Sequence, residues 1–304
     1  MTSPSRRLAS LLSLGALALG ATACSEEVPD RDPSPVSSES EATDPATGSP
    51  SETPTETETA DPANTVTVPV YFVGDTPSGP RLFREFRSVP ADNPLMEATA
   101  LMVGGDALDP DYRTLWPQVE ISDVQATDGV LLVQIPSDGF TDAPDGMSPK
   151  AARLALQQLV YTLQGVQQER VPVQIKRGGS DFRLFGLSTE TQFTNAEALE
   201  VLGLVNITSP EQGATVSGGT LEASGVASSF EANVLWEIRQ GDKVVLDGFA
   251  TAEGWMDKLY PWETSIDVSG LEPGDYTFVA RTDDPSGGAE GSGPDEDTKD
   301  FTLE

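Results

Sequence analysis

Apolar positions divide this chain into three regimes. Leu8 to Ala21 is nearly continuous in apolar and small residues, and Ser25 to Asn64 is nearly devoid of large apolar ones. From Thr65 onward, apolar and polar residues alternate with the periods of strands and helices. Val66–Val73 carries its apolar residues on even positions and predicts a strand, with Arg81–Val89 as its neighbour. Asn93 and Pro94 open a helix that runs to Val103 and closes at Gly104-Gly105. Val119–Val124 and Val130–Ile135 flank Ala126-Thr-Asp-Gly129, a hairpin signal. Ser148-Pro149 starts the clearest helix, in which Ala152, Leu156, Leu159, Val160 and Leu163 form one apolar stripe. Val171–Lys176 predicts a further strand ending at Gly178-Gly179.

Residues 65–202 therefore read as an α+β sandwich, with one sheet covered by two helices. Beyond Gly203 the pattern loses its helices. Val205–Ile207, Thr220–Val226, Ala232–Arg239, Lys243–Thr251, Trp262–Val268, Gly274–Asp283 and Thr298–Leu303 give seven short strand candidates. Turn residues such as Gln240-Gly-Asp242 and Glu272-Pro-Gly274 separate them. Seven alternating strands in residues 203–304 is the pattern of an all-β immunoglobulin-like sandwich.

The two ends of the chain change the picture in different ways. Arg6 and Arg7 precede the apolar run of 8–21, which suits a signal peptide and is too short to span a bilayer. Ala21-Thr-Ala-Cys24 follows and resembles a lipoprotein signal over residues 1–24, with Ala21 standing where leucine is usual; ordinary signal cleavage is the other reading. The lipoprotein reading makes Cys24 the acylated residue and anchors the chain to the outer face of the cytoplasmic membrane. Residues 25–64 hold seven prolines, eleven acids and no aromatic residue, the composition of a disordered acidic tether.

Charge and residue usage then exclude several function classes. Cys24 is the only cysteine, so no internal disulfide forms, and its place beside a cleavage site argues against a thiol nucleophile. Histidine is absent, which removes Ser-His-Asp and Cys-His catalysis and histidine zinc sites. No carboxylate pair stands beside a recognisable catalytic motif, so the chain reads as a non-enzyme. A formal net charge of −31 disfavours nucleic acid as a partner.

Three candidate sites remain. Arg281 to Phe301 contains seven carboxylates and four glycines, yet neither register starting at Asp283 or Asp295 satisfies an EF-hand loop. It reads as a long connection between two strands, with calcium at Asp283, Asp295 and Asp297 as the second reading and no other cofactor implied. Trp255, Tyr260 and Trp262 form a candidate interaction patch; the competing arrangement buries Trp262 in the core, sets Tyr260 at its rim and leaves Trp255 the most exposed. Arg84 and Arg87 could receive an anionic partner, or could make cross-strand pairs with neighbours such as Glu85.

Two family resemblances cover most of residues 65–304. Val70-Tyr-Phe72, Arg84-Glu-Phe-Arg-Ser-Val-Pro90, Leu101-Met-Val-Gly-Gly105, Trp116-Pro117, Gln157 to Leu163 and Val171 to Ile175 resemble the GerMN domain of spore-germination proteins. Ser209-Pro-Glu-Gln-Gly213, Gly225-Val-Ala227, Phe230-Glu-Ala-Asn233, Gly254-Trp255, Asp284-Pro-Ser-Gly-Gly288 and Asp297-Thr-Lys299 resemble Gmad2, an immunoglobulin-like domain of bacterial spore germination. These resemblances imply a non-catalytic, extracytoplasmic lipoprotein that acts as a protein-interaction or scaffold module. Its partner would be an envelope protein or a cell-wall component. A carbohydrate- or calcium-dependent cell-wall binder is the alternative.

Overall fold

The computed structural model describes residues 64–304 except 137, 287, 288 and 290. The expected signal peptide, Cys24 and the expected acidic tether thus lie outside the described residues, apart from Asn64.

Local signals produce the expected first elements. Strand β1 (Thr65–Thr76) and strand β2 (Gly79–Pro90) form one long antiparallel ribbon, closed by the tight turn that joins Thr76 to Gly79. Helix α1 (Pro94–Gly104) begins where the Asn93 side chain accepts the Met96 N–H, and it stops at left-handed Gly105. Strands β3 (Asp123–Thr127) and β4 (Val130–Gln134) turn at Asp128-Gly129, both with positive φ. Helix α2 (Pro149–Gln167) is capped by Ser148, whose Oγ accepts the Ala151 N–H at 3.1 Å. Strand β5 (Val173–Lys176) pairs parallel to β4. A two-residue hairpin, β6 (Arg183–Leu184) and β7 (Leu187–Ser188), and the single turn α3 (Ala198–Val201) complete this half.

One expectation needs correction here. The strands do not join in a single sheet: β1-β2 is a separate two-stranded ribbon, and β3-β4-β5 forms its own sheet. The reason lies in α2, which is buried almost all round rather than along one stripe. Besides the five stripe residues, it buries Leu154, Gln158, Tyr161 and Thr162, and so touches apolar surface on more than one side. Gln158 is tolerated inside because its amide donates to the Tyr71 carbonyl at 2.9 Å and accepts the Leu115 N–H at 3.1 Å.

The second half is a β-sandwich. Its strands are β8 (Val205–Ser209), β9 (Ala214–Val216), β10 (Thr220–Ala227), β11 (Asn233–Gln240), β12 (Lys243–Thr251), β13 (Tyr260–Asp267), β14 (Gly274–Thr282) and β15 (Glu296–Leu303). They form a three-stranded sheet β13-β10-β8 and a five-stranded sheet β12-β11-β14-β15-β9. Strand β9 is an addition to the seven expected strands; it is three residues long and runs parallel to β15. Between the sheets lies a core that includes Val234, Ile238, Trp262, Phe278 and Phe301.

Gly225 shows how closely this core is built. The β8–β10 register shifts between Ser224 and Gly225, and the Trp262 ring covers the glycine. A Cβ there would run into the Asn206 carbonyl oxygen and lie 2.9 Å from the Trp262 ring. Gly225→Ala is therefore expected to lower stability by about 1–3 kcal/mol in denaturant unfolding, the cost of overpacking a filled core. An unchanged denaturation midpoint would show that the strand pairing is looser than described.

Candidate functional site

Strand β15 alternates burial along its length, and the same face that carries Phe301 and Leu303 carries Asp297 and Lys299. Past the end of the sandwich core, that face meets the first half of the chain. Lys299 is 3% exposed, and its Nζ donates to Asp109 Oδ2 at 2.5 Å and to the Tyr112 hydroxyl at 2.9 Å. It also pairs with Asp297 Oδ1 at 3.4 Å. Tyr112 donates to the same Asp297 oxygen at 2.7 Å. The other oxygen of Asp297 accepts the Ile207 N–H at 2.6 Å and the Asn206 amide at 3.1 Å, so this carboxylate also ties the two sheets of the sandwich together.

A second layer holds the first. Buried Glu85 accepts the N–H groups of Leu108 and Asp109, which fixes the loop that presents Asp109. Arg87 pairs with Glu85 at 3.4 Å and also donates to the Asp106 carbonyl. Arg84 reaches across to Thr208 on β8 at 3.4 Å and lies against the Phe86 ring. Gly203 donates to the Leu82 carbonyl, and Leu204 donates to Asp295 Oδ2 at 3.0 Å. The two halves are therefore joined by a dry, charged junction and not by a bare linker.

Burial governs the protonation of this cluster. It pushes the Asp109 carboxyl up, and Lys299 opposes it. It pushes the Tyr112 hydroxyl well above 10, with Asp297 adding to the effect. On Lys299, burial is the largest single influence and acts downward, but Asp297 and Asp109 together outweigh it. The ammonium therefore titrates above its usual 10.5. We take Lys299 as charged at neutral pH because carboxylates flank it on both sides.

The candidate residues from the sequence do not gather into one site. Arg84 and Arg87 belong to the junction, as does Asp297, while Asp295 stands beside it and accepts the Leu204 N–H within the second half. Asp283 lies apart and accepts from the Asn233 amide at 2.9 Å. Among the described residues, no cluster of three or more acidic, histidine or cysteine side chains is arranged to hold a metal. Trp262 takes the core arrangement and is 3% exposed, with its ring tilted against Phe278. Tyr260 sits at the rim, hydrogen-bonded to Asp257 and stacked under Lys258.

Trp255 is the member of the aromatic trio that faces solvent, and it has companions that the sequence did not disclose. Its ring meets Phe230 edge-on at 5.3 Å, and Met256 follows it. Exposures of 37%, 40% and 68% for Trp255, Phe230 and Met256 make this an apolar ledge on the surface. The backbone beneath it is strained: Glu231, Ala232 and Met256 all have positive φ without being glycine. Each such residue costs about 1–3 kcal/mol and persists only where its surroundings enforce it. Ser228 and Ser229 supply that enforcement. Ser228 Oγ accepts the Met256 N–H, and Ser229 Oγ accepts the Asp283 N–H while donating to the Asn233 carbonyl.

Two family models match this chain. One, Germane, described as "Sporulation and spore germination", matches residues 69–181; the other, Gmad2, described as "Immunoglobulin-like domain of bacterial spore germination", matches residues 204–289. The chain carries a GerMN domain followed by a Gmad2 domain. Asp109 and Tyr112 lie in the stretch that the first model matches, whereas Asp297 and Lys299 lie on β15, the last strand of the sandwich, just past the residues that the second model matches. A curated-protein comparison gave no match.

Among solved structures, similarity was found to the tandem GerMN domains of the sporulation protein GerM from Bacillus subtilis. That likeness has 14% identity and a TM-score of 0.35, and covers 46% of this chain and 48% of that one. An engineered protein matches at 20% identity and a TM-score of 0.27, over 38% of this chain and 22% of its own. A lipoprotein described as putative, from Clostridium perfringens, matches at 13% identity and a TM-score of 0.28, over 45% of this chain and 93% of its own. This chain thus spans less than half the length of the first two. All three scores lie below 0.5, so the fold assignment rests on the family models and on the strand topology.

Removing the lysine leaves two buried carboxylates without their cation. Lys299→Met is expected to cost about 3–5 kcal/mol in denaturant unfolding at neutral pH. The pH dependence has a definite sign: a folded-state pKa above 10.5 gives stability that is complete below 10.5 and lost as pH rises through the raised value. Tyr112 contributes in the same direction above pH 10. The unfolding midpoint should therefore fall on the alkaline side, and less steeply in Lys299→Met. Identical alkaline slopes in the two proteins would remove Lys299 from this role.

Proposed function

We propose that the chain is an extracytoplasmic envelope lipoprotein, anchored through Cys24, that works as a non-catalytic interaction module. The observation that carries this reading is the Phe230–Trp255–Met256 ledge. Exposed aromatic and methionine side chains held by a strained but well-braced backbone are what a protein-docking surface requires. Their stiffness reduces the entropy lost on binding. Both domains have family descriptions tied to sporulation or germination, which supports an envelope partner. No helix among the described residues is long and apolar enough to cross a membrane; the attachment in this reading is the lipid on Cys24, supported by the Ala21-Thr-Ala-Cys24 pattern.

The ledge favours a protein partner over a sugar. Phe230 and Trp255 meet at 76°, and an edge-to-face pair leaves no broad flat platform of the kind a sugar ring stacks on. A calcium-dependent mode finds little support, since Asp283, Asp295 and Asp297 face three different hydrogen-bonding partners.

Crosslinking the anchored protein in cells, with its neighbours identified by mass spectrometry, tests this reading. A specific neighbour is expected, and Trp255→Ala or Phe230→Ala should abolish its capture without shifting the melting temperature. Capture that survives both substitutions would remove the ledge as the docking site.

A further inference from the structure

A separate concavity lies in the GerMN domain, away from both the ledge and the junction cluster. It encloses 510 Å³ between α2, the loop that follows β7, and α3. That size falls within the range of small-molecule sites. Its walls are mainly apolar, with Leu154 and Leu156 on one side and Leu187, Phe193 and Val201 among the facing residues.

Hydrogen bonds hold the groove open. Gln157 donates to the Thr194 carbonyl at 3.0 Å and accepts the Ala196 N–H at 2.7 Å, and Tyr161 donates to the Ala196 carbonyl at 2.7 Å. Phe193 exchanges two backbone hydrogen bonds with Val173, each 2.8 Å long. The shape therefore exists before anything enters it.

The charges on this groove are unlike the rest of the protein. The sequence holds 49 acidic and 18 basic residues, and acids are favoured in the first turn of a helix. The first turns of α2 instead carry Lys150 and Arg153 and no acid. Lys150, Arg153, Leu154 and Gln157 recur at helical spacing and share one face, which lines the groove. Lys150 and Arg153 are exposed, and neither makes an ion pair with any described residue. Elsewhere, Arg81, Arg84, Arg87, Arg113, Lys176, Arg239, Arg281 and Lys299 are engaged by carboxylates, hydroxyls or carbonyls; exposed Lys243 and Lys258 also lack an ion pair among the described residues, but neither lines an apolar groove of this kind. Two unengaged cations beside a preformed apolar groove give a complementary surface for a molecule with an apolar body and an anionic end.

We propose that this groove binds an anionic amphiphile, with the apolar body against Leu154, Leu187, Phe193 and Val201 and the anionic end between Lys150 and Arg153. Glu200 on α3 is the single carboxylate on the lining, against the two cations Lys150 and Arg153. The occupant is a small amphiphile and not the chain's own acidic tether. That tether matches the charge, but Val28 and Val36 are its only large apolar residues.

The test is calorimetric titration of the protein with decanoate, with decanol as the neutral match and acetate as the anion without an apolar body. Saturable decanoate binding is expected, with decanol weaker and acetate silent, and with affinity falling as salt is raised. The surface variant Lys150→Glu/Arg153→Glu should keep its melting temperature. It should bind decanoate about tenfold more weakly, in line with the modest worth of exposed charge pairs, while decanol binding is unchanged. Leu187→Asp should weaken both ligands. Absence of saturable decanoate binding overturns the proposal. So does decanoate binding that the double charge reversal leaves untouched, because the site would then lie elsewhere.

Discussion

One buried ammonium group organises this molecule. Lys299 comes from the last strand of the chain, and it is satisfied chiefly by groups from the other domain, Asp109 and Tyr112. A charge at 3% exposure is tolerable only where it is paired and hydrogen-bonded, since an isolated ion in such a place is very costly. Neither domain meets that condition alone. Without the GerMN domain, Lys299 would keep only the 3.4 Å contact to Asp297. Without the Gmad2 domain, Asp109 would lose its cation. Buried ion pairs add little net stability over apolar packing, but they penalise mispairing heavily. The cluster thus acts as a registration device, fixing which face of the sandwich meets which loop of its neighbour.

That registration has consequences outward. The same β14–β15 connection that contains Asp295 begins at Asp283, which Ser229 holds against the loop carrying Phe230. Asp283 follows Thr282, which exchanges hydrogen bonds with Asp295, so the ledge's brace is linked to the residues beside the junction. Trp262, in the core of the same sandwich, has no room to adjust, because Gly225 and Phe278 crowd its ring. Stiffness at the ledge and alignment at the junction come from one continuous set of contacts in the Gmad2 domain.

Local chemistry made much of this fold legible. Ser148-Pro149 and Asn93-Pro94 marked helix starts that the structure places at those residues. Asp128-Gly129 marked the hairpin, and alternation found seven of the eight sandwich strands. What escaped notice depends on contacts far apart in sequence. Strand β9 is three residues long and owes its existence to Phe301, Thr302 and Leu303 beside it. The division of the first domain into two sheets accompanies an α2 that is buried on more than one side, which a single stripe does not signal. Asp109 and Lys299 stand 190 positions apart, and no local pattern links them. A trace was present nonetheless: Asp297-x-Lys299-x-Phe301-x-Leu303 sets two charges on the apolar face of a strand. Acidity of the preceding loop drew attention to metal binding, whereas Asp297 anchors the two halves to each other and Asp295 ties Leu204, at the start of the sandwich, to the β14–β15 connection.

Scanning calorimetry of the protein at neutral pH tests the central claim most directly. If the Lys299 cluster joins the two domains into one cooperative body, the described part of the chain melts in a single transition whose calorimetric and van't Hoff enthalpies agree. Two well-separated transitions, one for each domain, would contradict it.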